Sequence, residues 1–154
     1  MQDRGLAAYI AELVGTLLLV FFVTSVVVLY VATSAKDTDF TAKLVDVSPD
    51  GYARNLTDGI LRLRYRTSLE RPELLIPGEV YRVTVDAGVT SNVFLKGHRI
   101  RVEISSSNFP RFDRNPNSGG PIAAETKLLK ANQTIYHDRE HPSEVVLMVM
   151  PGKG

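Results

Sequence analysis

Apolar and polar residues alternate along much of the chain after residue 40, which is the pattern of half-buried β-strands. In Ile60–Arg66, leucine or tyrosine at every second position alternates with arginine. Pro49, Asp50 and Gly51 mark a tight turn. Strands are predicted for the segments Phe40–Val47, Ile60–Arg66, Val80–Asp86, His98–Ser105, Gln133–His137 and Glu144–Val149. With no convincing helix after residue 35, the chain is predicted to be mainly β, an antiparallel sandwich or jelly roll.

The first 35 residues have a different character, because Glu12 is the only charged residue from Gly5 to Ala35. As a helix at about 1.5 Å per residue, the uncharged stretch Leu13–Ala32 spans roughly the 30 Å core of a bilayer, so a transmembrane helix is one interpretation. A cleaved signal peptide is a second. The third is a helix ending near residues 23–25, followed by a first strand, Val26–Ser34, because that part is β-branched and aromatic.

Composition removes several classes of function. Eighteen basic and 17 acidic residues leave a formal charge of +1, so no basic field is available for nucleic acid. The absence of cysteine excludes a disulfide framework, a zinc–thiolate site and a cysteine nucleophile. No cofactor-binding motif is present, and we expect no cofactor.

Two parts of the chain resemble two different protein families. Residues of about 6–30, with Ala11–Thr16 followed by Leu17–Phe22, resemble the first membrane helix of the aquaporin family. No second long apolar run exists, and Asn115-Pro116-Asn117 lacks the alanine of the aquaporin signature. A channel needs several spans, so we exclude channel function. We divide the chain into an apolar, possibly membrane-associated helix over residues 1–24 and a β domain over residues 25–154.

The β domain resembles the C-terminal domain of the cocaine esterase and X-Pro dipeptidyl-peptidase family of serine hydrolases over residues of about 26–150. The resemblance implies a galactose-binding-like jelly roll that follows an α/β-hydrolase domain with a Ser-His-Asp triad and a helical cap. The segments that carry it occur in family order: Leu29–Val47 with Pro49–Gly51, Leu61–Arg66, Gly97–Val102, Ser105–Arg111, and His137–Asp138 with His141–Ser143.

The catalytic part of the family pattern is not found in this sequence. A G-x-S-x-G elbow is absent, and Ser118 has glycines on one side only. The family jelly roll also begins before the strand equivalent to Val26–Ser34, and here the aquaporin-like segment stands in that place. We therefore expect a domain that is inactive alone, with no catalytic residue, and whose first sheet edge lacks a partner strand.

Histidines and carboxylates offer a second possible chemistry, a metal or acid/base cluster. The candidates are His98, His137 and His141 with Asp37, Asp39, Asp138 or Glu140. Their spacing matches no known metal motif, and Pro142 opposes a helix that would align His137 with His141. We therefore interpret the histidines as structural or surface residues, and Asp37 and Asp39 as braces of a turn.

Three arginines, Arg62, Arg64 and Arg66, are the candidate docking residues for a partner domain, with a solvated strand face as the alternative. The expected function is that of a non-catalytic β-sandwich domain that packs on an α/β-hydrolase domain. One alternative is a free-standing, membrane-anchored jelly roll that binds carbohydrate, through exposed Phe109 and Phe112, or protein. Another is a truncated or chimeric product without a selected function. The apolar helix predicts association with membranes or with further copies.

Overall fold

Two antiparallel sheets form the fold of residues 24–149, which are the residues that the computed structural model describes. The first sheet has the order β4-β1-β6, with β7 beside β6 along the same edge of β1; the second has the order β3-β2-β5. The strands are β1 (Thr24–Thr33), β2 (Asp39–Val47), β3 (Ala53–Arg62), β4 (Tyr81–Val89), β5 (Arg99–Ser105), β6 (Gln133–Tyr136) and β7 (Glu144–Leu147).

The core lies between the two sheets, so the mainly β prediction is confirmed. Alternate residues of β1 and β4 point into it, because successive side chains of a strand face opposite sides. They meet Phe40 and Ala42 of β2 and the buried Leu63. The remaining buried members are Val27, Leu29, Val31, Leu75, Val83, Val85 and Ala87.

The extent of β1 distinguishes between the interpretations of the uncharged stretch Leu13–Ala32 as one helix or as a helix followed by a strand. β1 begins at Thr24 and is paired along both edges, with β4 on one side and with β6 and β7 on the other. A continuous helix through Ala32 is therefore wrong, and a strand over this part of the run is observed. The predicted helix over residues 1–24 falls almost wholly outside the described residues. Within residues 24–149, no helix is long and apolar enough to cross a bilayer.

The predicted strand Ile60–Arg66 is wrong in its second half. β3 ends at Arg62, and Leu63–Tyr65 form a short 3-10 helix. The cause is a pair of hydrogen bonds that draw the backbone toward the start of β2. Leu63 donates its N–H to the carbonyl of Thr38 at 2.9 Å, and Arg64 donates its N–H to the carboxylate of Asp37 at 3.1 Å. Arg64 is consequently buried rather than part of an exposed arginine face.

Candidate functional site

Arg62 and Arg64 each pair with an aspartate at the start of β2. The guanidinium of Arg62 donates to both carboxylate oxygens of Asp39, at 2.9 and 3.0 Å. Nε of Arg64 donates to Oδ2 of Asp37 at 2.7 Å. The hydrogen bond with Asp39 holds the pKa of Arg62 above its ordinary value, although burial opposes the shift. Both carboxylates are buried, so these pairs brace the interior of the domain.

Arg66 contacts backbone carbonyls, an aromatic ring and the carboxylate of Glu73, whose Oε2 lies 3.5 Å from Nη2 of Arg66. Its Nη1 donates to the carbonyls of Leu63, at 3.2 Å, and Glu73, at 2.6 Å. Its guanidinium carbon lies 4.7 Å from the centre of the Tyr81 ring, within the range of a cation–π contact. All three predicted docking arginines therefore have acceptors inside the domain, and direct contact between them and a partner stays a prediction.

Asn115 completes the buried cluster that these pairs begin. Its Nδ2 donates to Oδ2 of Asp37 at 2.9 Å and to Oδ1 of Asp39 at 2.7 Å. Two carboxylates are thus compensated by two guanidinium groups and one amide, which is the condition for burying charge. We call Asp37, Asp39, Arg62, Arg64 and Asn115 the buried cluster.

The buried cluster fastens the long segment between β5 and β6, residues 106–132, which we call the pinned loop. Besides the side chain of Asn115, the carbonyl of Gly120 accepts a hydrogen bond from Nη2 of Arg64 at 3.0 Å. Within the loop, Ser118 donates to Glu125 at 2.7 Å. Loops of this length in compact domains are usually either functional or disordered, and this one is held at its middle by hydrogen bonds to the buried cluster.

The pinned loop presents a concave and partly apolar surface. An open depression of about 530 Å³ is lined by Phe109, Asp113, Arg114, Ile122 and Ala123. The guanidinium carbon of Arg114 lies 4.6 Å from the centre of the Phe109 ring. Phe109 is 56% exposed, so much of the ring stays open to a partner or ligand. Phe112, the second predicted exposed aromatic, is half-buried.

Exposed leucines lie in the same loop and beside it. Leu74 is close enough to Gly119 that an added Cβ would sit 3.2 Å from its methyl groups. Leu129 donates its backbone N–H to the carbonyl of Pro116 at 2.9 Å. Leu74, Leu129 and the neighbouring Leu128 are all exposed large apolar residues. Apolar side chains of this size around an ordered loop are typical of an interaction surface.

His98 and His141 contact different residues. Nδ1 of His98 lies 2.8 Å from Oδ1 of the buried Asp46. His141 packs against Tyr30 and Tyr136, with ring centroids 5.6 and 5.1 Å away. No group of three metal-binding side chains occurs in the described part of the chain.

Asp138, another candidate ligand, has local partners. Its carboxylate accepts backbone hydrogen bonds from His141 at 2.8 Å and Glu140 at 2.9 Å. The hydrogen bond from the His141 backbone is the main reason that the pKa of Asp138 is below its ordinary value. These contacts form a turn between β6 and β7.

The sequence analysis named Asn115 only as part of Asn115-Pro116-Asn117 and did not connect it with the aspartates. Its acceptors lie 76 and 78 positions earlier in the chain, and no local pattern connects them. The only available signal was the matching spacing of Asp37 and Asp39 with Arg62 and Arg64, where each pair is two residues apart. That spacing is compatible with two adjacent ion pairs, but it does not indicate that the amide of Asn115 binds both carboxylates.

Residues 24–146 match the family described as the X-Pro dipeptidyl-peptidase C-terminal non-catalytic domain. The chain is 56% identical over 124 residues to cocaine esterase from Rhodococcus sp. strain MB1 Bresler, with 79% of this chain and 22% of the esterase covered. It is 28% identical over 142 residues to a putative serine esterase of Mycobacterium bovis, with 81% of this chain and 21% of that protein covered. The chain thus spans about a fifth of the length of these relatives.

Solved structures agree with this match. An aminopeptidase from a marine sediment Thaumarchaeota archaeon has a TM-score of 0.76 at 32% identity, over 84% of this chain and 23% of its own. An α-amino acid ester hydrolase has a TM-score of 0.74 at 32% identity, over 82% of this chain and 23% of its own. None of these comparisons supports the resemblance of the first residues to an aquaporin helix.

Proposed function

Because the chain belongs to the family of X-Pro dipeptidyl-peptidase C-terminal non-catalytic domains, we propose that it is a galactose-binding-like jelly roll that packs on an α/β-hydrolase domain. The pinned loop carries this proposal. A loop that is to meet a partner in one conformation benefits from being ordered beforehand, because less conformational entropy is then lost on binding. The buried cluster supplies that order, through Asn115 and through the carbonyl of Gly120.

The surface of the loop suits a partner domain. Phe109 and Leu129 are exposed apolar residues, and aromatic residues are enriched in the cores of protein interfaces. Asp113 and Arg114 beside them add groups that can form hydrogen bonds at the edge of a contact. By this proposal the depression faces the hydrolase domain and helps to shape its substrate cleft.

The three arginines enter this proposal in two ways. Arg64 acts from inside, because it is buried and holds both Asp37 and the pinned loop. Arg62 and Arg66 keep part of their side chains accessible, 23% and 13%. Contact between these exposed parts and an acidic surface of the hydrolase domain is the remaining form of the docking prediction.

A binding test uses the portion of the Rhodococcus cocaine esterase that lies outside the matched segment. When this portion is titrated with the full chain in a calorimeter, we expect a complex, and Phe109→Ser and Leu129→Ser each weaken it by about tenfold. Val93→Ser is the matched control, since Val93 is an exposed apolar residue in the segment between β4 and β5. No association, or equal weakening by all three substitutions, contradicts the proposal.

A carbohydrate-binding role is the second candidate, favoured by the exposed ring of Phe109 beside polar Asp113 and Arg114. Sugars stack their apolar face on such rings while polar neighbours bind their hydroxyl groups. Titration with a panel of monosaccharides, followed by NMR, separates the candidates. Shifts confined to the depression support sugar binding, whereas no response together with hydrolase binding supports the domain-packing role.

A further inference from the structure

The first part of the pinned loop, residues 108–115, is fastened at both ends. At its start, Nδ2 of Asn108 donates to Oδ2 of Asp58 in β3 at 2.7 Å, and Nε of Arg111 lies 3.2 Å from the same oxygen. The side chain of Asp58 is almost completely buried. At its end, Asn115 donates to both aspartates of the buried cluster. We call residues 108–115 the anchored segment, whose other side chains are held between two buried attachment points.

The anchored segment contains two pairs of an arginine with an aromatic ring. The guanidinium carbon of Arg111 lies 5.6 Å from the centre of the Phe112 ring, and that of Arg114 lies 4.6 Å from the centre of the Phe109 ring. Arg111 also has the carboxylate of Asp58 as an ionic partner. Arg114 is exposed and forms no ion pair within residues 24–149. Of the two guanidinium groups, that of Arg114 is therefore the one available to a further carboxylate.

The contact with Phe109 leaves the donors of Arg114 accessible. The N–H groups of a guanidinium lie in its plane, so a contact through the face of that plane leaves them free to bind both oxygens of a carboxylate. The ring also restricts rotation of a long side chain, so less conformational entropy is lost when a ligand binds. Arg114 is thus positioned in advance for a planar acceptor.

The charges around the depression favour a carboxylate over a phosphate. Among the described residues, Arg114 is the only cationic side chain that lines the depression, and the acidic Asp113 lines it too. A phosphate with two negative charges would be repelled by Asp113 and would have only one guanidinium to compensate it. A carboxylate carries a single charge. Apolar Phe109 and Ile122 in the same lining can contact the carbon chain that bears it.

We propose that Arg114 binds the carboxylate of an aspartate or glutamate side chain on the α/β-hydrolase domain. This inference rests on the proposed function and names the chemical group that the depression meets. Phe109 orients the guanidinium, and the attachments at Asp58 and at the buried cluster keep both residues in place. Arg114 thereby selects an acidic side chain at the centre of the contact.

A small carboxylate tests Arg114 without the hydrolase domain. Butyrate is titrated into the full chain while the Nε–Hε groups of the arginines are followed by NMR, with butanamide as the uncharged control. We expect a saturable shift for Arg114 with butyrate alone, with a Kd on the order of 10 mM. Arg139, exposed in the turn between β6 and β7, should show no saturable shift. Equal shifts of the two arginines, or none, contradict the proposal.

Calorimetry with the hydrolase portion of the Rhodococcus esterase tests the partner. We expect Arg114→Gln to weaken the complex by about tenfold, because it removes the charge and the paired donors. Arg114→Lys should recover only part of that loss, since an ammonium keeps the charge but cannot bind both oxygens in one plane. Arg139→Gln is the matched control and should leave the affinity unchanged. Added salt should weaken the complex of the unchanged chain more than that of Arg114→Gln.

The outcomes separate this inference from the proposed function. If the unchanged chain forms no complex with the hydrolase portion, both are wrong, whatever the response to butyrate. If a complex forms and Arg114→Gln binds as tightly as Arg139→Gln, the carboxylate partner is wrong while packing of the loop on the hydrolase domain stands.

Discussion

Gly59→Ala tests the packing at the edge of the sandwich where β3 of one sheet meets β4 of the other. Gly59 lies in β3 opposite Ala42 and faces the backbone of β4. A Cβ there would overlap the carbonyl oxygen of Asp86 and lie 2.8 Å from its carbonyl carbon and 3.1 Å from Cα of Ala87. Favourable contacts between carbon atoms begin at about 3.5 Å, and backbone atoms of a paired strand cannot rotate away. β3 and β4 must therefore move apart to accept one methyl group.

The cost of that movement has two parts. Overpacking of a well-packed region typically costs about 1–3 kcal/mol, and Ala87 beside the contact is almost completely buried. The separation also strains the hydrogen bond from Thr57 to the carbonyl of Ala87, which contributes about 0.5–1.5 kcal/mol. We expect the free energy of unfolding to fall by about 2–4 kcal/mol, a large share of the roughly 5–15 kcal/mol typical of a domain.

Urea unfolding followed by circular dichroism measures this change, with Gly120→Ala as the control. A Cβ at Gly120 lies 2.7 Å from a carboxylate oxygen of Glu125 and 3.4 Å from the hydroxyl of Ser118. Both are ends of side chains that can rotate, so we expect a smaller loss of about 1 kcal/mol, from displacing the hydrogen bond between them. Thr57→Ala reports the hydrogen bond alone, with an expected loss of about 0.5–1.5 kcal/mol. If Gly59→Ala unfolds at the same urea concentration as Gly120→Ala, the reasoning about the edge is refuted.

Three further predictions concern the cluster, the turn and catalysis. Asn115→Ala leaves two buried carboxylates short of a donor, so we expect a loss of about 2–3 kcal/mol and faster proteolysis of the pinned loop; unchanged proteolysis would contradict this. Carbon-13 NMR should show Asp138 titrating below its ordinary pKa. Its stabilising contribution is then present above the unfolded-state pKa and lost as the pH falls through the folded-state pKa, a loss that Asp138→Asn should lack. The chain alone should not hydrolyse acyl esters or proline-containing dipeptide amides above background, and labelling of one serine by an organophosphonate would show otherwise.

Alternation of apolar and polar residues predicted the strands that have one face in the core and the other in water. In β4, Val83 and Val85 face the core while Arg82 and Thr84 face water, so the period of two is visible in the sequence. β1 was harder to place, because it is apolar on both faces and continuous with the preceding run. Its β-branched composition and its family resemblance separated it from that run.

Tertiary contacts explain what alternation missed. The period of two continues to Arg66, but the strand ends at Arg62 because Asp37 and Thr38 offer acceptors that a strand could not reach. The role of Asn115 follows from the same aspartates, far away in the chain. Interactions of this kind depend on which loops the fold brings together, and no local pattern encodes them.

The pairing of β1 also sets the order of events during synthesis. The backbone N–H of Tyr30 donates to the hydroxyl of Ser143, which lies 113 positions further along the chain. At about 5–20 residues per second, the ribosome needs roughly 6–23 s to make that stretch. For this interval one edge of a strand rich in valine has no partner, and such edges readily pair with other chains. Slow translation between β4 and β6 therefore extends the period in which aggregation competes with completion of the first sheet.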